Sequence, residues 1–276
     1  MNCKTLRIHR LFHPSSKRSL LLPIDHGTTM GPLTGLLNIP DLIRQAKDSG
    51  YQAVIAHKGI IHWAMSENQD LSGMDYILHL SASTSMGPDS AFKQQVTSVE
   101  HALRLGVTGI SVHTNLGVLH EPEMLKELGE LCDQAYHWGL PLLVMMNVTK
   151  AERSTNLLDH GKRIAHAVRV AGELGADMVK VECPDHLEVL PEIMSAFKIP
   201  VLIAGGIKSN SKLDWLQSLD DCLEAGAKGL CIGRNVFEDE NPLAMGLALN
   251  ALVHERQSGR EAYEIYRGHQ VLPIFN

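Results

Sequence analysis

The chain has 276 residues, of which 44% are hydrophobic and 20% are charged, so it can bury a large core and is not of the disordered class. The formal net charge of -6 argues against a nucleic-acid surface, which needs clustered lysine and arginine. No apolar run approaches the roughly 18 residues of a membrane span, and no secretory signal pattern leads the chain. The five cysteines form no CxxC pair, which favours a reducing cytoplasm.

One local pattern recurs along the chain: a helical stretch ends at a glycine, and a short apolar strand follows. Glycine in that position adopts a left-handed conformation without the penalty of a side chain. The pattern and its neighbours predict eight strands, at 19–24, 53–56, 76–80, 109–112, 141–144, 176–181, 200–204 and 229–232. Helices are predicted at 40–49, 93–105, 121–138, 159–174, 186–197 and 213–225, and the polar segment 62–75 is predicted to be an insert or a mobile loop.

Strands that are apolar throughout are buried on both faces, as in a parallel sheet covered by helices. The alternation of strands and helices, together with a length near the roughly 250 residues of such folds, predicts one (β/α)8 TIM barrel over residues 1–276. A doubly wound sheet is the alternative, but eight units and glycine-rich loops late in the chain favour the barrel.

Lys180 ends the sixth predicted strand, after the run Ala176-Asp177-Met178-Val179. Side chains alternate along a strand, so Lys180 and Glu182 share one face and are expected to point into the barrel mouth. A lysine in that position is a nucleophile for carbonyl carbons and forms imines with them. Solvent exposure of the amine is the plainer alternative.

The loops after strands seven and eight of such barrels frequently bind phosphate. Gly205 and Gly206 allow backbone N–H groups to approach an anion, and Gly233 with Arg234 adds a second turn and a planar bidentate donor. Lys208 adds a further positive charge. We therefore predict a phosphate site from these five residues.

Asp25 ends the first strand and is a candidate for proton transfer or for orienting a substrate hydroxyl, although it could equally cap the following turn. His57 and His113 follow the second and fourth strands. The 15 histidines form no HExxH motif and no close ligand triad, so we predict no metal site.

These residues, in this order, resemble the DhnA-type class I aldolases. That family includes archaeal fructose-bisphosphate aldolases, 2-amino-3,7-dideoxy-D-threo-hept-6-ulosonate synthases and the thiolase of autoinducer-2 breakdown. The matching stretches are Leu22-Pro23-Ile24-Asp25-His26-Gly27, His57-Lys58-Gly59, His79-Leu80-Ser81-Ala82-Ser83-Thr84-Ser85, Ser111-Val112-His113, Gly175-Ala176-Asp177-Met178-Val179-Lys180, Ile203-Ala204-Gly205-Gly206 and Gly233-Arg234-Asn235-Val236-Phe237.

The resemblance implies a TIM barrel in which Lys180 is the Schiff-base lysine and Asp25 assists proton transfer. Gly205, Gly206, Gly233 and Arg234 would hold the phosphate of the donor. It further implies a homo-oligomer, commonly a decamer of two five-membered rings. We expect phosphorylated ketone and aldehyde substrates, no cofactor, and a cytoplasmic enzyme with no nucleic-acid or membrane partner.

One position departs from the family. Aldolases of this kind carry a tyrosine general acid/base after the fifth strand, whereas this chain has Asn147, whose amide hydrogen-bonds but does not exchange a proton. Glu182 or a bound water is then expected to transfer the proton, with His113 assisting. The change suggests an altered acceptor, such as aspartate semialdehyde. The alternatives are acyl transfer to coenzyme A, a flavin-binding barrel and a sugar-phosphate sensor without catalysis.

Overall fold

Eight short apolar strands close into a parallel barrel in a computed structural model that describes residues 3–67, 73–149, 158–206 and 211–270. The described residues form these eight barrel strands and two further short strands, β4 and β5, which pair with each other outside the barrel. In chain order the strands are β1 (Ser19–Pro23), β2 (Ala53–Ala56), β3 (Asp75–His79), β4 (Ser81–Ala82), β5 (Gln94–Gln95), β6 (Gly109–Leu116), β7 (Leu142–Val148), β8 (Met178–Glu182), β9 (Val201–Ala204) and β10 (Gly229–Cys231). The order around the barrel is β1-β10-β9-β8-β7-β6-β3-β2, closed by parallel pairing of β1 with β2. All eight predicted strands are therefore confirmed, and the fold is a (β/α)8 TIM barrel.

Helices connect the strands and cover the barrel. They are α1 (Cys3–Arg10), α2 (His26–Met30), α3 (Ile39–Asp48), α4 (Lys58–Glu67), α5 (Val99–Leu105), α6 (Glu121–Trp138), α7 (Asp159–Glu173), α8 (Leu190–Ser195), α9 (Lys212–Glu224), α10 (Arg234–Phe237), α11 (Pro242–His254) and α12 (Gly259–Gln270). None of the helices within the described ranges is long and apolar enough to cross a membrane.

Two predictions for the connections were wrong. The segment 62–75 is not a loop throughout, because α4 continues to Glu67 with Ile61 and Ala64 buried against the core, and Asp75 already begins β3. Residues 68–72 lie outside the described part of the chain. The helix predicted over 93–105 begins only at Val99, where the Ser98 hydroxyl accepts a hydrogen bond from the His101 N–H. The preceding residues form β5, which pairs with β4 in a short antiparallel hairpin.

Alternation along the strands divides the core into two layers. One face of each strand packs outward against the helices, as Val179 and Val181 of β8 do, and the other face fills the barrel. Leu21, Ile55, Met145 and Leu202 belong to the inner layer, and so does Leu11, which follows α1. The Leu11 carbonyl accepts a hydrogen bond from the Ser19 hydroxyl at the start of β1, so α1 closes the end of the barrel opposite the strand C-termini.

Candidate active site

A cavity of about 510 Å³ opens where the barrel strands end. Its lining comes from nearly every strand end, which is the arrangement that the fold imposes on converging C-termini. The lining side chains that carry chemistry are Asp25, His26, His57, His79, Lys93, His113, Asn147, Lys180, Glu182 and Arg234. A second cavity of about 570 Å³ lies beside α3 and α10 and is lined by Asp41, Glu238 and Asp239 without lysine, arginine or histidine, so it does not suit an anionic substrate.

Lys180 lines the 510 Å³ cavity. It lies on β8 between Met145 of β7 and Leu202 of β9, in register with both. Its side chain is half-buried and forms no hydrogen bond or ion pair with any described residue. The charge of Lys180 nevertheless acts on the pKa of Asp25 and of Cys231, so the amine lies near the end of β1 and near β10. The predicted orientation into the mouth is thus what the structure has.

Asp25, just after β1, is one of the two acidic residues that line the cavity. Its Oδ2 lies 3.7 Å from His79 Nε2 and its Oδ1 lies 3.9 Å from His26 Nδ1. Oδ1 is buried and accepts no hydrogen bond within the described residues, which leaves it available to a substrate group. Burial alone would raise the pKa of Asp25, but His79, His26, Lys180 and His57 together hold it below its ordinary value. Asp25 is therefore a carboxylate at neutral pH.

Histidines end three successive strands on the wall that faces Lys180: His57 after β2, His79 on β3 and His113 on β6. Burial lowers the pKa of His79 to about 4, against the opposing charge of Asp25. Burial also lowers the pKa of His57. The His79 Nδ1 lies 2.8 Å from the Ser111 hydroxyl, and its ring meets that of His57 edge to face at 5.3 Å. The His79 ring is therefore neutral near pH 7.

Asn147 and His113 form a pair on neighbouring strands. The Asn147 Nδ2 donates to His113 Nε2 at 2.7 Å, which places the ring proton of His113 on Nδ1. Burial, with the nearby charges of His79 and Lys93, lowers the pKa of His113 to about 3. The ring is therefore neutral, and its orientation is held by the amide and by the backbone, since the His113 N–H donates to the Ser81 hydroxyl at 2.9 Å.

Glu182 follows Lys180 on the same face of β8, as predicted, and lies at the cavity edge. Its Oε1 accepts a hydrogen bond from His160 Nε2 of α7 at 3.0 Å. Two residues along a strand span roughly 6.6 Å, so Glu182 lies within one intervening water of a group bound at Lys180. Sequence reasoning did not find His160, because a histidine on a helix gives no signal that it faces a strand end.

The glycines after β9 and β10 line the cavity, and two of them are closely packed against neighbouring residues. A Cβ on Gly205 would lie 2.8 Å from Ile232 Cγ2, and one on Gly233 would lie 2.6 Å from the Pro23 carbonyl oxygen. Gly206 has φ +68°, and nothing lies within 4 Å of where its Cβ would be, so its backbone faces open space. The loop is fixed by Trp215 Nε1, which donates to the Gly205 carbonyl at 2.8 Å.

Lys93 is a cavity residue that sequence reasoning missed. It precedes β5 and is only 8% exposed. Its Nζ donates to the Ser83 hydroxyl at 2.6 Å and to the Thr29 hydroxyl at 3.2 Å. Because residues 93–98 were predicted as helix, nothing placed Lys93 at the mouth.

All but one of the predicted site residues therefore line one cavity. Lys180, Asp25, Asn147, His113, Glu182, Gly205, Gly206, Gly233 and Arg234 all line it. Lys208 lies outside the described residues. Among those residues, no group of three or more histidine, cysteine, aspartate or glutamate side chains is arranged to hold a metal ion.

The known proteins that this chain resembles are aldolases and related synthases. Residues 19–239 match the model of the DeoC/LacD family aldolases. The chain is 36% identical over 253 residues to the 2-amino-3,7-dideoxy-D-threo-hept-6-ulosonate synthase of Halobacterium salinarum, covering 91% of this chain and 92% of the relative. It is 34% identical over 251 residues to the 2-amino-4,5-dihydroxy-6-oxo-7-(phosphonooxy)heptanoate synthase of Streptomyces griseus, covering 91% and 90%.

A solved structure is similar over the same extent. It is an archaeal fructose-1,6-bisphosphate aldolase whose catalytic lysine is covalently bound to the carbinolamine intermediate of its substrate. The two chains have a TM-score of 0.79 and 28% identity, covering 91% of this chain and 99% of the other.

Fold and relatives together define an enzyme of the class I aldolase type, a C–C lyase or synthase. The chain belongs to the DeoC/LacD family of aldolases.

Proposed function

We propose that this enzyme makes or breaks a carbon–carbon bond through an imine between Lys180 and the ketone of a phosphorylated donor. The observation that carries the proposal is the position of Lys180. Lys180 lines the cavity from β8, a strand paired on both sides, and has no hydrogen-bond partner among the described residues. A lysine that only served stability would be expected to pair with a carboxylate or reach solvent.

The chemistry follows from the amine. Lys180 Nζ adds to the ketone carbon to give a carbinolamine, which loses water to become a protonated imine. The imine withdraws electrons from the adjacent carbon, so loss of a proton there, or cleavage of the adjacent C–C bond with release of an aldehyde, gives an enamine. In the synthetic direction the enamine carbon attacks the acceptor aldehyde. Water then adds back to the imine, frees Lys180 and releases the product.

Proton transfer is assigned to the two carboxylates. Asp25 is ionised, and its Oδ1 has no described partner, so it can hold a substrate hydroxyl or accept its proton. Glu182, on the other side of Lys180, is the candidate for the proton that the family tyrosine handles elsewhere. Its hydrogen bond to His160 fixes the carboxylate and offers an exchange partner for the proton.

Asn147 and His113 are assigned an orienting role. A ring with a pKa of about 3 carries no proton to donate as imidazolium at neutral pH. With its Nδ2 engaged by His113, Asn147 presents its amide oxygen as an acceptor for a substrate hydroxyl. This assignment accounts for an enzyme that has an amide in place of the tyrosine.

The donor phosphate is placed against the loops after β9 and β10. Gly206 offers an open, left-handed backbone turn and Arg234 offers a guanidinium that binds two phosphate oxygens at once. Gly205 and Gly233 allow those loops to pack closely enough to share one ligand. Lys208 is retained as a phosphate residue on the strength of its sequence position alone.

The acceptor is proposed to be an amino-acid semialdehyde, such as aspartate semialdehyde. The product named for the Streptomyces griseus relative has a ketone at carbon 6 beside a phosphate-bearing carbon 7, and an amino acid at the other end. Lys180 and the loops after β9 and β10 line the same cavity, so one donor can present its ketone to Lys180 and its phosphate to the loops. The proposed assembly is a homo-oligomer, as in the family.

Deuterium exchange tests the proposal without knowledge of the acceptor. Enamine formation exchanges the reacting C–H of the donor with solvent, so dihydroxyacetone phosphate and fructose 1-phosphate are incubated in D2O and analysed by mass spectrometry. We expect exchange with the wild-type enzyme and none with Lys180→Met, which keeps the length of the side chain. Absence of exchange with every phosphorylated ketone would refute the proposal, and exchange that requires coenzyme A would favour acyl transfer.

A further inference from the structure

We propose that Lys93, with the hydroxyls of Thr29 and Ser83, is the binding site for the anionic end of the acceptor aldehyde. The inference deepens the proposed function and rests on it: the site assigns a carboxylate-bearing aldehyde, in preference to a neutral one, as the second substrate. The Nζ of Lys93 lies within hydrogen-bond distance of both hydroxyls, at 2.6 Å from Ser83 and 3.2 Å from Thr29.

Lys93 is a buried cation with no carboxylate in contact. It is 8% exposed, and among the described residues it forms no ion pair. Burial lowers the pKa of Lys93, and the charge of Asp25 opposes this only in part. A buried cation in this position is costly and is retained where a ligand supplies the charge. Its two hydroxyl partners each accept one N–H bond, which leaves the third donor of the ammonium group for a ligand.

The anion-binding side chains of the cavity lie at different places around its wall. Arg234 follows β10, where the donor phosphate is assigned, whereas Lys93 precedes β5 and contacts Thr29 and Ser83. A phosphate held by Arg234 therefore leaves Lys93 for another anionic group of the substrates.

Lys93 lies on the side of the barrel mouth opposite Lys180. Thr29 follows β1, and Ser83 follows β3 and β4, so Lys93 sits above the arc of strands β1, β2 and β3. In the ring of eight, β2 is directly opposite β8, the strand of Lys180. A donor held at β9 and β10, with its ketone at Lys180, therefore meets its acceptor across the mouth. The free end of that acceptor points toward Lys93.

Lys93 is held in place by the short hairpin of β4 and β5. It directly precedes β5, whose Gln94 pairs with Ala82 of β4. Ser81 of β4 accepts a hydrogen bond from the His113 N–H, which joins the hairpin to β6. The Ser83 hydroxyl donates to the Ser90 carbonyl at 2.7 Å, which orients its lone pairs toward Lys93. A two-stranded hairpin at the mouth thus positions one lysine and one hydroxyl.

The test compares two acceptors in each variant. Aspartate semialdehyde carries the carboxylate, and glycolaldehyde does not. Lys93→Met should raise the KM for aspartate semialdehyde about ten- to hundredfold, the loss expected for one charge-assisted hydrogen bond, and change the KM for glycolaldehyde less than about threefold. Lys93→Arg should retain most of the preference because it keeps the charge. Lys58→Met is the matched control, since Lys58 is exposed outside the cavity and donates to the Val96 carbonyl.

The outcomes separate the two proposals. Loss of both acceptors to the same extent in Lys93→Met, or loss of donor exchange in D2O, would overturn the assignment, because Lys93 would then act on Lys180 or Asp25. A wild-type enzyme that exchanges the donor but shows no preference for the charged aldehyde would also overturn it. Absence of donor exchange in the wild type would instead refute the imine itself.

Discussion

The pairing of Asn147 with His113 gives a prediction that can be worked out from one distance. Asn147→Asp places a carboxylate where the amide now lies, with the present contact at 2.7 Å from His113 Nε2. The carboxylate accepts a proton instead of donating one, so the ring must present N–H at Nε2, and its protonated form gains an opposite charge. The pKa of His113 should therefore rise from its present value of about 3.

The size of the change follows from Coulomb's law. Two unit charges about 4 Å apart attract by about 1 kcal/mol in water and about 4 kcal/mol at the effective dielectric near a protein surface. Asn147 is exposed and His113 is half-buried, so we expect about 2 kcal/mol, which raises the pKa of His113 by roughly 1.5.

Carbethoxylation measures the protonation of each histidine separately, because only the neutral imidazole reacts. The rate at the His113 peptide, followed by mass spectrometry, should be the same at about pH 4.5 and pH 7 in the wild type. In Asn147→Asp it should fall to roughly half at the lower pH, as expected for a pKa near that value. Asn147→Leu, without charge, should keep the flat profile. A flat profile in Asn147→Asp, or a wild-type rate that already falls below about pH 6.5, would refute this account of the pair.

Three further predictions concern the loops, the proton carrier and stability. Gly206→Ala should raise the KM for the phosphorylated donor about five- to tenfold. Gly106 is the control, because its backbone is equally left-handed and faces open space but lies away from the cavity. Gly106→Ala should lower the free energy of unfolding by about 1 kcal/mol and leave the KM unchanged. Glu182→Gln should lower turnover about a hundredfold while imine trapping persists; full turnover would remove Glu182 from proton transfer. The pKa of His79 is about 4 in the folded protein, below its unfolded value, so the free energy of unfolding should fall as the pH drops below about 6.5. Between pH 7.5 and 5, His79→Gln should lose about 2 kcal/mol less of this free energy than the wild type, measured by urea unfolding.

The barrel could be predicted because its signals are local. Five of the barrel strands, β2, β6, β7, β8 and β10, are short apolar runs preceded by a helix-ending glycine. Gly106, Gly139 and Gly175 have the positive φ that this interpretation requires. Lys180 and Glu182 could be placed in the mouth because alternation along a strand needs no tertiary information. The order of the strand ends then brought Asp25, His113 and Asn147 to the same cavity.

The hairpin and its lysine could not be predicted for the opposite reason. Strands β4 and β5 have two residues each, which is too short to show an alternation of apolar and polar side chains. They form because Ser81 and Ala82 pair with Gln95 and Gln94, a contact between segments separated in the chain. Residues 93–98 read as the start of the helix that follows. Glu182 contacts His160 on α7, and Lys93 contacts Thr29 on α2. Both partners lie on helices elsewhere in the chain, so the spacing of residues in the sequence does not predict these contacts.

The most direct measurement is borohydride trapping of the enzyme with dihydroxyacetone phosphate, followed by peptide mass mapping. The account predicts one reduced adduct, carried by the peptide that contains Lys180 and absent from Lys180→Ala, with Lys93→Met still trapped. An adduct on another lysine, or no adduct with any phosphorylated ketone, would contradict the assignment of Lys180 as the residue that forms the imine.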